Sequence, residues 1–253
     1  MPYCKNKDTA IYYEQHGEGI PVVLVHGGAT SFQNNYAVFG WIDRLNQSGL
    51  QVIGLDMRGH GKSDKPLKTE DYGTENLASD VLAVMDELGL SKVSIIGYSL
   101  GSAVTLHLIQ TFPERFSKAA LVATGDGLLG FPPHVFTALF PALAEAIARP
   151  VFPKDLPPHV AAYWTFVTES GGSREAISAA TKADYPPLSI EFASKIHVPV
   201  LVVSGEKDPV LGQGPRLAEA LPNGEYLEIP KADHFNLAAK SNVKNAIVDF
   251  INP

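Results

Sequence analysis

A single cysteine, Cys4, stands in 253 residues, so no internal disulfide can form and no cysteine-based metal site can be read. Long apolar runs are missing as well: no stretch approaches the roughly 18 residues needed to span a bilayer. The opening M-P-Y-C-K-N-K-D has no apolar signal-peptide core, and a cytoplasmic protein is expected. Positive charge is scarce. Twenty Lys and Arg against 27 Asp and Glu give a formal charge of -7, and with no basic run this argues against a nucleic-acid partner. Internal repeats and low-complexity segments are absent, and composition carries no signal for an oligomeric state. What remains is an ordinary globular chain, 45% hydrophobic and 19% charged, of a length that suits one α/β domain.

The pattern along the chain is alternating. Tyr3–Lys5 and Thr9–Gln15 read as an N-terminal antiparallel hairpin turning at Asn6-Lys7-Asp8. Pro21–Val25 and Gln51–Asp56 read as buried strands, with a helical pattern over Tyr36–Asn46 between them. Thr74 is the expected cap of a helix whose Leu77, Val81, Val84, Met85 and Leu88 share one face. The strand Val93–Ile96, a helix from Ala103 and the strand Lys118–Ala123 follow. Later come the strand Val198–Ser204, a helix over Pro215–Leu221, the strand Tyr226–Ile229 and a last helix capped by Ser241. Strands alternating with helices predict a mostly parallel sheet with helices on both faces. The alternation breaks at Gly125. Residues 126–190 hold nine of the 19 prolines, show helix-like pieces at Val135–Ala148 and His159–Thr168, and contain no convincing strand. The expected organisation is therefore a core of residues 1–125 and 191–253 with an all-helical insertion at 126–190.

The stretch Val93–Ser102 organises the rest. Its Gly97-Tyr98-Ser99-Leu100-Gly101 stands directly between a β-branched strand and a helix, which is the strand–turn–helix setting of a nucleophile elbow. So sharp a turn needs hydrogen as the side chain at 97 and 101, and it lifts the Ser99 hydroxyl clear of the sheet. The bland alternative is an ordinary turn with a hydroxyl at a helix cap. A serine nucleophile needs a base and an orienting acid. The order Ser…Asp…His places Ser99, Asp208 and His234 each just past a strand, at the edge where open α/β sheets carry their crevice. Of the eight histidines only His234 follows the final strand; His26 lies in a tight turn and His60 in a surface-like glycine turn. Asp126, after the preceding strand, is the rival to Asp208, whose alternative is a plain Asp-Pro turn. Asp233 reads as a loop-stabilising carboxylate. The oxyanion hole is expected from the backbone N–H of Leu100 and, in His26-Gly27-Gly28-Ala29, from that of Gly28. A glycine-rich turn serving packing alone is the alternative for that loop.

Taken together, His26-Gly27-Gly28, Asp56-Met57-Arg58-Gly59-His60-Gly61-Lys62-Ser63, Gly97-Tyr98-Ser99-Leu100-Gly101, Gly205-Glu206-Lys207-Asp208 and Asp233-His234 make the chain resemble the α/β-hydrolase superfamily over essentially its full length. That superfamily includes esterases, lactonases, thioesterases, carbon–carbon bond hydrolases, peptidases and perhydrolases. Serine at 99 departs from its dehalogenase and epoxide-hydrolase branches, which carry aspartate there. The loop after Gly28 lacks the proline-glycine continuation of proline iminopeptidases, and Ser102 replaces a third glycine. The resemblance implies a helical cap over the site, which 126–190 would supply. The expected activity is that of a serine hydrolase on small carboxylic esters or lactones, requiring no metal or organic cofactor. Phe131, Phe136 and Trp164 are the first candidates for substrate contact. A carbon–carbon bond hydrolase and a non-catalytic small-molecule receptor are the alternatives.

Overall fold

The computed structural model describes residues 2–130, 143–149, 158–169 and 172–252. Eight strands form one sheet: β1 (Tyr3–Asn6), β2 (Thr9–His16), β3 (Ile20–Val25), β4 (Leu50–Leu55), β5 (Val93–Tyr98), β6 (Phe116–Val122), β7 (Val200–Gly205) and β8 (Gly224–Ile229). Their spatial order is β1-β2-β4-β3-β5-β6-β7-β8. The β1–β2 hairpin and the β2–β4 pair are antiparallel, while every neighbour from β4 to β8 is parallel.

The strands are buried on both sides because their side chains alternate between two cores. Val23, Val25, Ile53, Leu55, Ile95, Leu121, Val200 and Val202 face α2 (Thr74–Glu87) and α3 (Leu100–Thr111). Val22, Leu24, Val52, Ile96, Val122, Leu201 and Val203 face α1 (Trp41–Asn46) and α7 (Ser241–Ile251). Of the connecting helices, α6 (Pro215–Ala220) joins β7 to β8. The chain leaves β3 for β4 on one side and then crosses back to β5 on the other. The connections after β3 and β5 therefore run to opposite faces of the sheet, a switch at which open α/β sheets carry their crevice, at the carboxyl ends of the strands.

Between β6 and β7 the described residues are helical or irregular and contain no strand. Residues 143–148 are helical, followed by α4 (Pro158–Glu169) and α5 (Arg174–Lys182). Ile147, Val167 and Ile177 from these three helices pack with Ala29 of the loop after β3. The two ends of the insertion meet, because the Leu188 N–H donates to the Leu128 carbonyl at 2.8 Å.

Some local expectations fail for physical reasons. The helix expected over 36–46 is broken at Gly40, whose φ of 73° is left-handed, and only Trp41–Asn46 is α-helical there. Thr74 and Ser241 are first helical residues rather than caps; Gly73 and Lys240 hold the cap positions without a side-chain bond. β7 starts at Val200, two residues later than the apolar run suggests.

The D-M-R-G-H-G-K-S stretch after β4 is a scaffold. Asp56 accepts the N–H groups of Phe32 and Lys62, each at 2.8 Å, tying the loop after β3 to the one after β4. Arg58 forms a fork on Asp80 of α2, with Nε and Nη2 at 2.8 and 2.6 Å, and Asn6 of β1 donates to the same carboxylate at 2.8 Å. Asp80 is fully buried, so this pair binds hairpin, helix and loop together where water cannot replace it.

Candidate active site

β5 ends at Tyr98 and α3 begins at Leu100, leaving Ser99 alone at the turn with φ 51° and ψ −111°. A non-glycine residue held there stores strain, which the surroundings must over-determine. They do so by close packing: a Cβ on Gly97 would strike the Gly101 carbonyl, and one on Gly101 would strike the Val25 and His26 carbonyls. Strand, helix and the loop after β3 thus meet backbone to backbone around Ser99.

His234 lies in the loop after β8 and Asp208 in the loop after β7. The His234 Nε2 stands 2.9 Å from Ser99 Oγ, and its Nδ1 stands 2.8 Å from Asp208 Oδ2. The second oxygen of Asp208 accepts the N–H groups of Val210 and Leu211 at 2.8 and 3.0 Å. Burial pushes the Asp208 carboxyl up, but the hydrogen bond and charge of His234 and these two N–H groups outweigh it, leaving the group below its ordinary value. An ionised Asp208 facing Nδ1 requires that nitrogen to carry hydrogen, so in the neutral ring it is Nε2 whose lone pair faces the Ser99 hydroxyl. A serine paired in this way can lose its proton as it attacks a carbonyl carbon.

The loop bearing His234 is pinned from three directions. Tyr98 donates its hydroxyl to the His234 carbonyl at 2.6 Å, and the Trp41 indole donates to the Ala238 carbonyl at 2.8 Å. Asp233 accepts from Phe235 and Asn236 at 2.9 and 3.1 Å, the loop-stabilising arrangement read from its position. The exposed Phe235 ring packs edge-on against the His234 ring at 5.3 Å.

Asp126 is not brought to this chain of bonds. Its Oδ1 accepts the Leu217 N–H of α6 at 3.0 Å, and burial, only partly opposed by the N–H groups of Leu217 and Arg216, raises its carboxyl above the ordinary value. The Gly28 and Leu100 N–H groups make no hydrogen bond with any described residue. Gly27, beside Gly28, packs against the elbow: a Cβ there would lie 3.4 Å from the Tyr98 carbonyl and 3.5 Å from Ser99 Cβ. Trp164 sits in α4, half-buried, with the Arg174 guanidinium 5.8 Å from its ring. Phe131 and Phe136 lie outside the described residues. Among the described residues no three His, Cys, Asp or Glu side chains converge as a metal site.

His60 overturns the surface reading of its turn, being only 2% exposed, with its ring 5.1 Å from that of the fully buried His26. Tyr98 and Trp41 also escaped sequence reasoning. The one available signal was Tyr98's place inside the elbow, next to the nucleophile candidate.

Comparison with known proteins agrees with this architecture. A family profile described as "alpha/beta hydrolase fold" matches residues 20–240. The non-heme chloroperoxidase of Streptomyces lividans is 29% identical over 272 residues, covering 94% of either chain. The N-acyl homoserine lactone degrading enzyme Est816 superposes with a TM-score of 0.76 at 26% identity, covering 99% of this chain and 100% of its own. The esterase EaEST of Exiguobacterium antarcticum has a TM-score of 0.82 at 24% identity, with 98% of each chain covered. No helix among the described residues is long and apolar enough to cross a membrane. With the parallel sheet, the elbow and a profile match across most of its length, the chain belongs to the alpha/beta hydrolase fold family.

Proposed function

We propose that this protein is a serine hydrolase that cleaves carboxylic esters or lactones of small, mostly apolar molecules through an acyl-enzyme on Ser99. The observation that carries the reading is the unbroken chain from Ser99 Oγ through His234 to a buried Asp208, at 2.9 and 2.8 Å. In the first step Ser99 Oγ attacks the carbonyl carbon while its proton passes to His234 Nε2. Asp208 holds the imidazole in the required tautomer and stabilises the imidazolium. The negative charge that develops on the carbonyl oxygen is received by the N–H groups of Leu100 and Gly28, which have no partner among the described residues. Collapse of the tetrahedral intermediate breaks the C–O bond, and His234 returns the proton to the leaving alcohol. Water, activated by His234, then releases the acid. No metal or organic cofactor takes part in these steps.

Residues 126–190 are assigned as a cap, because helices of this insertion pack on Ala29 beside Gly28. Trp164, with Phe131 and Phe136, would supply apolar contact to the acyl or alcohol group. The lactone-degrading relative at 26% identity supports a lactone or ester substrate.

The test joins a fluorophosphonate probe to a panel of p-nitrophenyl esters and lactones. Ser99 should be labelled, members of the panel should turn over, and Ser99→Ala should lose about 10⁴–10⁶ in kcat with little change in Tm. An unlabelled Ser99 points instead to a small-molecule receptor. Labelling with turnover confined to diketones points to carbon–carbon bond hydrolysis.

A further inference from the structure

Beneath the loop that carries Gly28, His26 and His60 link two loops reciprocally. His26 Nδ1 faces the Gly27 carbonyl at 2.6 Å, and its Nε2 faces the Met57 N–H at 3.0 Å. His60 Nδ1 faces the Arg58 carbonyl at 2.9 Å, and its Nε2 faces the Ala29 N–H at 3.0 Å. A nitrogen facing a carbonyl must donate and one facing an N–H must accept, so both rings are neutral with hydrogen on Nδ1. Each imidazole braces its own turn with one nitrogen and grips the other's loop with the second.

The Gly27 carbonyl and the Gly28 N–H belong to one peptide plane and point in opposite directions. His26 therefore holds one end of the unit whose other end is the proposed oxyanion donor. His60 holds the N–H of the next unit, at Ala29, whose φ of 58° is left-handed and needs such a restraint. Asn35 Oδ1 accepts the Gly27 N–H at 2.8 Å and completes the frame. Burial and the neighbouring His26 push the His60 ring down to about 3, which keeps its Nε2 an acceptor across the neutral range.

We infer that His26 and His60 are positioning residues that aim the Gly28 N–H at the reacting carbonyl oxygen. This inference rests on the oxyanion role given to Gly28 above. A loop held by solvent or by weaker contacts could rotate the 27–28 peptide, and the donor would be lost without any change at Ser99, His234 or Asp208. His60 is the better position to test, because it lies outside the Gly28 loop and acts on it through one bond.

Two variants of the full chain separate positioning from scaffolding. His60→Leu removes the acceptor for Ala29, whereas His60→Gln offers its side-chain oxygen in the same region. Each is assayed for kcat and KM on an ester that the parent hydrolyses, and for Tm. Affinity is measured for a trifluoromethyl ketone, whose adduct on Ser99 puts an oxyanion where the carbonyl oxygen would be. Complete loss of one oxyanion donor costs about 10²–10³ in kcat, so a misaimed donor in His60→Leu should cost about 10–10². The ketone should weaken by a similar factor, while KM and the pH dependence of kcat/KM stay near those of the parent. His60→Gln should recover most of both losses. A His60→Leu enzyme within about two-fold of the parent in kcat and ketone affinity overturns the inference. So does a folded His60→Gln that recovers neither, and loss of the fold in both variants assigns His60 to the scaffold alone. Fluorophosphonate labelling of the parent is the control: its failure defeats the proposed function, while intact labelling beside an indifferent His60→Leu defeats only the positioning role.

Discussion

The hydroxyl of Tyr98 donates to the backbone carbonyl of His234 at 2.6 Å, so the residue next to the nucleophile candidate in sequence also anchors the loop of its base. The two segments leave different strands, and this contact, the edge-on Tyr98–His234 ring pair at 6.3 Å and the Ser99–His234 pair tie them together. Tyr98 is nearly buried, and burial pushes its phenol well above the ordinary value, which keeps it a donor. Tyr98→Phe strands a buried carbonyl and should cost about 1–3 kcal/mol in urea unfolding. It should also lower kcat by about ten-fold, since small misplacements of a base are expensive. Unchanged kcat would show that the loop is held well enough by Trp41 and Asp233.

Asp208 and Asp126 are separated by their partners. Asp208→Asn keeps the shape but favours the wrong histidine tautomer, and kcat should fall by about 10⁴. Asp126→Asn retains the oxygen that accepts from Leu217 and should cost less than about 1 kcal/mol, with kcat within a few-fold. The opposite ranking in steady-state assays would move the acid to Asp126.

Ion pairs in this chain should differ sharply in worth. Removing Asp80 leaves Arg58 buried and uncompensated, so Asp80→Ala should lose about 3–5 kcal/mol in urea unfolding. Lys195–Glu191 spans one turn at 2.8 Å but lies in solvent, and Lys195→Ala should leave the urea midpoint essentially unchanged. Equal losses for the two substitutions would contradict the burial argument.

His60 supplies an acid-side stability term. Its unfolded form takes up a proton near the ordinary value of 6.5, whereas the folded form resists until about 3. The unfolded chain thus binds more protons throughout that window. Stability from this group is complete above 6.5 and declines as pH falls toward 3, at up to about 1.4 kcal/mol per pH unit. Asp208, with its lowered carboxyl, adds a loss only at lower pH. The urea midpoint of the parent should therefore fall between pH 7 and 5 more steeply than that of His60→Gln. Parallel slopes would mean that the ring is protonated when folded.

The sheet, the elbow and the positions of Ser99, Asp208 and His234 past β5, β7 and β8 were legible because each follows from short-range chemistry. Apolar β-branched runs, paired glycines and chain order suffice for them. His60 was not legible. Its glycine-flanked turn has the local look of a surface loop, and its partners, His26 and an Ala29 N–H 31 residues away, are ones that no local pattern encodes. Gly40 shows the reverse failure, where an apolar helical period continues across a residue whose left-handed backbone ends the helix. The caps at Gly73 and Lys240 were misassigned because a hydroxyl beside a helix start satisfies the cap rule equally well one residue inside it.

The bond between Leu128 and Leu188 brings entry and exit of the insertion together, while Ala179 and Ala180 from within it pack into the core beside the sheet. Whatever lies between those residues spans almost no distance from entry to exit, so closing it costs little more when it is long than when it is short. Lineages could therefore exchange or resize this segment without disturbing the register of β6 and β7. A transplant of a foreign segment between Leu128 and Leu188 that keeps apolar residues at 179 and 180 should unfold as cooperatively as the parent while carrying the donor's substrate preference.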